Sequence, residues 1–277
     1  MLRVLLFLVT NLAVLAMAAI AMTVLTALGV IPPNMPYVQL LIWCALFGFG
    51  GAIFSLAISK WIAKRSTGAH VIVKPSNDAE AWLLATVERQ AKQAGIGMPE
   101  VAVFNSPDPN AFATGMFRNS ALVAVSTGLL GLMNKQEVEA VLGHEVSHIA
   151  NGDMVTLALI QGVLNTFVLF IARIIASQFE RGRFMIYIAL QMVFGVLASV
   201  VVAWFSRRRE FRADAGGAQL VSAPAMAAAL DKLRTLQNTP SRLPENLTAF
   251  GIRGKGVAKL LSTHPPLEER IARLVGR

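Results

Sequence analysis

His144-Glu145-Val146-Ser147-His148-Ile149-Ala150-Asn151-Gly152-Asp153-Met154 joins two features that belong to different solvents. Its first half is H-E-x-x-H, which needs water. Its last residue opens an uncharged apolar run to Ala172, which needs lipid. Asn134, followed three residues later by Glu137, is a capping-box start, and Asn151-Gly152 is a helix stop. The motif therefore falls on a helix. Four residues turn it by about 400°, so His144 and His148 share a face, about 6 Å apart along the axis. Two imidazoles so placed can converge on one Zn²⁺. Glu145 lies about 100° round and can reach a water held there. The competing reading is a helix with two ordinary histidines.

Outward from this stretch, composition sets the architecture. Hydrophobic residues make up 55% of the 277 and charged residues 15%. Soluble domains run about 45–50% and about 25%. The apolar excess is more than a core of this size encloses, and it excludes disorder. A single cysteine, Cys44, excludes a disulfide-stapled fold. A bilayer core needs roughly 20 apolar residues in helix. Four runs qualify: about 4–31, 37–59, from Met154 to Ala172, and 184–205. Ala16-Met17-Ala18 resembles a signal cleavage site, but the first run continues well past it, so an anchor is expected. The expected organisation is a transmembrane hairpin over 1–59, a first soluble part over 60–153, a second hairpin over 154–205 and a second soluble part over 206–277. Gly48, Gly50, Gly51 and Cys44 read as packing positions within spans. Gln161, Asn165 and Gln191 are polar within spans and suit interhelical bonds or a groove lining.

The net charge is +9. No acidic residue precedes Asp78, and Lys60, Lys64, Arg65 and Arg207–Arg209 flank apolar runs. That is the positive-inside pattern, not a nucleic-acid surface, and it puts the soluble parts in the cytoplasm. Arg181 and Arg183, in the connection between the last two runs, are outnumbered by Arg207, Arg208, Arg209 and Arg212. The soluble parts read as α+β. Strands are expected at 71–73, 101–104 and 121–125, and helices at 76–93, from Asn134 to Asn151, at 224–236 and at 266–275.

Catalytic zinc usually takes three protein ligands. The metzincin pattern fails, because Asn151 and Met154 stand where its glycine and third histidine would be. An acidic third ligand is then needed. Glu210 and Asp214, at i and i+4, present two carboxylates on one helical face: Glu210 for the metal, Asp214 to fix the tautomer of a ligand histidine. The alternative is that both merely offset the neighbouring arginines. Topology bears on the choice. A membrane hairpin between His148 and Glu210 returns the chain to the side it left, so both half-sites face one compartment.

His144-Glu145-x-x-His148, Asn151-Gly152-Asp153, Glu210-x-x-x-Asp214 and Thr263-His264-Pro265-Pro266 together resemble the HtpX family of membrane zinc metalloproteases, gluzincin-type enzymes related to the CAAX prenyl endopeptidases. Asn110-Ala111-Phe112-Ala113-Thr114-Gly115 resembles that family's substrate-side segment. The resemblance covers essentially the whole chain. It implies a four-helix integral membrane protein with an α+β zincin-like cytoplasmic protease domain. It further implies a bacterial inner-membrane endopeptidase with one Zn²⁺ per chain, acting on membrane or misfolded proteins in quality control.

The roles expected on this footing are His144, His148 and Glu210 as ligands and Glu145 as general base. His264 is the expected oxyanion donor, against a capping or packing role. Asn110, Ala111, Phe112, Ala113 and Gly115 are expected to receive an extended peptide, against an ordinary hairpin strand. Asn151 and Asp153 read as one helix's end and the next one's start, and Arg207–Arg209 as headgroup anchors. The partners expected are polypeptides and the bilayer, without nucleic acid; the oligomeric state stays open. A scaffold with a structural zinc site and a transporter are the competing classes. The first lacks an available thiolate, and the second lacks intramembrane charge.

Overall fold

Every apolar run that the structure describes is helical, and the β-branched stretches between them form one small sheet. The computed structural model describes residues 37–237 and 262–276, with two isolated positions at 23 and 27. Apart from those two positions, the first expected span, about 4–31, lies outside the described residues. The described helices are α1 (Tyr37–Thr67), α2 (Asp78–Gln93), α3 (Thr127–Leu132), α4 (Lys135–Asn151), α5 (Asp153–Ser177), α6 (Arg183–Leu220), α7 (Ala223–Gln237) and α8 (Leu267–Val275). The strands are β1 (His70–Val71), β2 (Glu100–Phe104), β3 (Ala111–Thr114) and β4 (Leu122–Ser126). The chain divides into two compact units, one bounded Met1–Ser55 with Leu157–Val202, the other Leu56–Thr156 with Ala203–Arg277.

In the second unit the sheet order is β1-β2-β4-β3. β2 and β4 run parallel, with Val101 opposite Val123, and the two outer pairs are antiparallel. Successive side chains leave a strand on opposite faces. Val101, Val123 and Val125 accordingly enter a core with Leu83 and Val87 of α2 and Leu142 and Val146 of α4. Ala102, Phe104, Leu122 and Ala124 face the other way, against Ala63 near the end of α1. β3 is an edge strand; among the described residues it pairs only with β4.

Local chemistry sets the helix ends. Asn77 accepts from the Glu80 amide, so α2 starts two residues later than its periodicity suggests. Asn134 and Glu137 form the reciprocal capping box at α4. Gly152 ends α4 at φ 65°, a left-handed value that glycine adopts without steric cost. One residue later α5 begins. Ile72 and Val73, read as strand, lie beyond β1. α6 is a larger departure. The apolar run to Phe205 and the Glu210…Asp214 pair are one continuous helix.

In the first unit, α1 and α5 meet at glycine. A Cβ on Gly48 would lie 2.4 Å from Thr166 Oγ1, and one on Gly162 2.6 Å from Phe49. Cys44 is buried with Tyr37, Phe170 and Ile174. Gly50 and Gly51 have open space beside them. Ile42, Leu46, Phe47, Val193, Val196 and Leu197 stay exposed. α1, α5 and α6 are each long and apolar enough to cross a membrane, and bulky apolar side chains facing outward suit lipid. Gln161 and Asn165 line a cavity of about 350 Å³ with Ser55 and Ser199. Gln191 instead donates to the Tyr187 hydroxyl.

Back in the second unit, α6 crosses α4 at its own glycines. A Cβ on Gly217 would lie 3.0 Å from the His144 amide nitrogen, and one on Gly216 2.6 Å from Ser147 Oγ. Close approach here is what brings the carboxylates of α6 to the histidines of α4. Gly217→Val should therefore lower stability by about 1–3 kcal/mol, read as a reduced midpoint of thermal unfolding of the detergent-solubilised chain.

Candidate metal centre

The α4 helix turns His144 and His148 toward each other at their outer nitrogens. Nε2 of one lies 3.1 Å from Nε2 of the other. Glu210 completes the group from α6, with Oε1 3.3 Å from His148 Nε2 and Oε2 3.5 Å from His144 Nε2. Tetrahedral ligands about 2.05 Å from a zinc ion stand about 3.3 Å apart. Among the described residues these three are the group whose donor atoms could hold a metal ion.

The inner nitrogens explain the orientation. His144 Nδ1 lies 2.9 Å from Asp214 Oδ1, and His148 Nδ1 lies 2.7 Å from Asp153 Oδ2. Each Nδ1–H donated to a carboxylate leaves its Nε2 with a lone pair. Two lone pairs and a carboxylate then face one point, an arrangement that repels itself unless a cation sits among them. Glu210 Oε2 is buried there, with His264 Nδ1 2.9 Å and Arg270 Nη1 3.4 Å away. These residues fit a divalent metal.

Without a metal the same point attracts protons. Burial opposes charge on His148, but Asp153 and Glu210 outweigh it and push its pKa up to about 10. His144 is raised as well, with Asp214 and Glu210 overcoming its burial. Glu210 moves the other way: its burial is outweighed by the three histidines around it, and its carboxyl is held well below the usual range.

The model of Peptidase family M48 matches residues 77–277. The chain belongs to this family. Protease HtpX of Thioalkalivibrio sulfidiphilus (strain HL-EbGR7) is 55% identical, covering 98% of each chain. Protease HtpX of Stenotrophomonas maltophilia (strain K279a) is 56% identical, over 98% of this chain and 97% of that one. Among solved structures, S. mikatae Ste24p matches with a TM-score of 0.62 and 19% identity, over 95% of this chain and 67% of that one, a likeness of fold. This M48 chain is a membrane metalloprotease.

The remaining expected site residues of the M48 chain fall as follows. Glu145 is partly buried beside the ligand pair, close enough for its charge to act on both His148 and Arg270. His264 lies with Nδ1 2.9 Å from Glu210 Oε2, its side chain 45% exposed. Asn110 is tied to β4, its carbonyl accepting from the Ser126 amide and its amide donating to Ser126 Oγ. Ala111 and Ala113 pack toward the main core. The Phe112 ring packs on Phe104 at 5.6 Å, so packing accounts for it. Gly115 has φ 129°, and a Cβ there would meet Ala121 at 3.0 Å.

Three residues were missed as partners of the site. Asp153 does start a helix, but its side chain, 0% exposed, also holds His148 and accepts from Arg212 at 2.8 Å. Arg270 grips Asp214 with two bonds, Nε to Oδ2 at 2.8 Å and Nη2 to Oδ1 at 2.6 Å. Arg209 donates to the Asp153 carbonyl and to Ser206. Of the three arginines read as headgroup anchors, Arg209 and Arg207 bond within the protein, Arg207 donating to the Ser262 carbonyl, while Arg208 stays exposed over the Trp204 ring. For Asp153 a signal was available, an acid five residues after a ligand histidine and across a helix stop. Arg270 had none: it follows Thr263-His264-Pro265-Pro266 by four residues, but its partner Asp214 is 56 residues away.

Two outcomes follow for the M48 chain. Asp153→Asn should weaken metal affinity about 10–100-fold, measured by competition with a chromogenic chelator, while one ion still binds at saturation. Because the metal-free site holds a proton on His148 at neutral pH, metal uptake should release protons and strengthen as pH rises. Calorimetric titration in buffers of differing ionisation enthalpy reads that release directly.

Proposed function

We propose that this M48 metalloprotease holds one Zn²⁺ per chain on His144, His148 and Glu210 and hydrolyses peptide bonds of membrane or misfolded proteins in quality control. We place it in a bacterial inner membrane with four spans, the expected run at 4–31 together with α1, α5 and α6, and with its catalytic domain in the cytoplasm. Cations beside the apolar runs support that orientation. One observation carries the zinc reading: both Nε2 atoms and the Glu210 carboxylate face one point while both Nδ1 atoms are turned away to carboxylates. A structural site would close on four protein ligands; here the described group offers three.

When bound, zinc supplies Lewis acidity, lowering the pKa of a water and polarising the scissile carbonyl. Glu145 takes a proton from the attacking water and delivers it to the leaving amine. His264, on the exposed rim, donates to the oxyanion. The edge of β3 that is unpaired among the described residues receives the substrate backbone in extended form, with Asn110 and Gly115 setting the ends of the strand and Ala111, Phe112 and Ala113 lending their main chain. Asp214 and Asp153 hold the two ligand imidazoles in one tautomer.

Glu145→Gln should lower kcat by about 10²–10⁴-fold on a casein-like substrate, with metal content unchanged. His264→Ala should lower kcat by about 10²–10³-fold, with KM little altered. Wild-type turnover in the folded, metal-loaded Glu145→Gln protein would refute the assignment.

A further inference from the structure

The edge strand β3 ends at a level that the sequence marks as the membrane surface. Helix α1 is uncharged from Tyr37 to Ser59, and its first cation is Lys60. Thr114 Oγ1, at the last residue of β3, donates to Ser59 Oγ at 3.0 Å. Lys60 Nζ donates to the Ser120 carbonyl at 3.1 Å. The connection from β3 to β4 is thus pinned at both ends to the turn where α1 leaves its apolar stretch. Its third tether is Arg118, which donates to the Ala150 carbonyl in the last turn of α4. Just beyond that, Asp153 begins α5, the next helix apolar enough to span. The segment 115–120 therefore sits between the exit of one candidate span and the entry of another.

Its surface chemistry matches that place. Phe117, in the middle of the connection, is 65% exposed, and Trp61 on α1 is 66% exposed. Exposed aromatics at this level suit the interfacial belt of a bilayer. Lys60, Lys64 and Arg65 flank Trp61 along α1 and Arg118 follows Phe117 in sequence, and the carboxylate of Glu100 is bonded to Lys60 and Lys64. The excess of cations suits anionic headgroups.

We propose that the β3–β4 connection seats Phe117 in the lipid interface and that β3 therefore takes, as its substrate class, polypeptide segments lying against the membrane immediately next to a transmembrane helix. This rests on the reading of β3 as the substrate strand. A peptide paired along that edge has one end at the lipid surface. A substrate anchored in the same bilayer reaches the strand from there at high effective concentration, whereas a site on a long soluble loop gains no such advantage.

The test uses the full chain, metal-loaded, in vesicles of phosphatidylethanolamine and phosphatidylglycerol. One cleavable sequence is offered as a free peptide and, in a single-span carrier, at increasing Gly-Ser spacing from the span. Cleavage of the carrier should fall at least about tenfold as the spacer lengthens. Phe117→Ser should abolish that dependence while cleaving the free peptide at the wild-type rate. In a Cys44→Ser background, a fluorophore on Phe117→Cys should be quenched by brominated lipids. Spacer-independent cleavage, or an unquenched label, overturns the inference and leaves the protease assignment standing. Absence of any chelator-sensitive cleavage, free peptide included, overturns the underlying reading and the inference with it.

Discussion

Two imidazoles held with their outer nitrogens 3.1 Å apart are the constraint on which the site depends. Nothing in a helix demands that arrangement. The i, i+4 spacing puts the rings on one face, but rotation about each side chain would relieve the contact. The rings stay because each Nδ1 is bonded to a carboxylate that is itself fixed. Asp214 is fixed by a two-pronged Arg270, and Asp153 by Arg212 and by burial. The two supports come from different places. One runs through α8, near the end of the chain; the other lies one residue past the α4 stop. The ligand pair thus depends on segments that share no sequence neighbourhood.

The third donor depends on backbone approach as well as on the His264 and Arg270 side chains beside its outer oxygen. Glu210 sits on α6, about two helical turns before Gly216 and Gly217. Those glycines let α6 touch α4 at Ser147 and at the His144 backbone. With larger residues the helices would stand further apart, and the carboxylate would withdraw from both nitrogens together. A metal site of this kind is sensitive to small displacements, because all three donors must reach one point. Glycine at the crossing is as much a condition of the site as the ligands are.

How much of this the sequence carries varies with the range of the interaction. The α4 helix was legible in full, with its capping box at Asn134, its glycine stop and the shared face of its histidines, because each signal is local. The Glu210…Asp214 spacing was legible for the same reason, and the apolar runs gave away the three long helices described. Asp153 was half legible: its place at a helix start is local, but its bond to His148 depends on the left-handed turn at Gly152, which bends the chain back. Arg270 was silent, since the only sign of its role is a contact with a residue 56 positions away. Gly216-Gly217 reads as a weak point in a helix until its neighbour on α4 is known.

Charge balance joins these parts. Glu210, Asp214 and Asp153 are three nearly buried carboxylates, and buried charge is tolerated only when it is matched. Arg212 pairs with Asp153, and Arg270 divides its charge between Asp214 and, at 3.4 Å, Glu210. The remaining negative charge falls where the two imidazoles meet, and the upward shifts of both histidines are its expression. A proton can satisfy it, and so can a divalent cation. The cation does so while keeping both Nε2 lone pairs engaged, which a single proton shared between two nitrogens does not. Metal and proton are therefore competitors for one electrostatic deficit, and the carboxylates behind the histidines decide the contest as strongly as the ligands themselves.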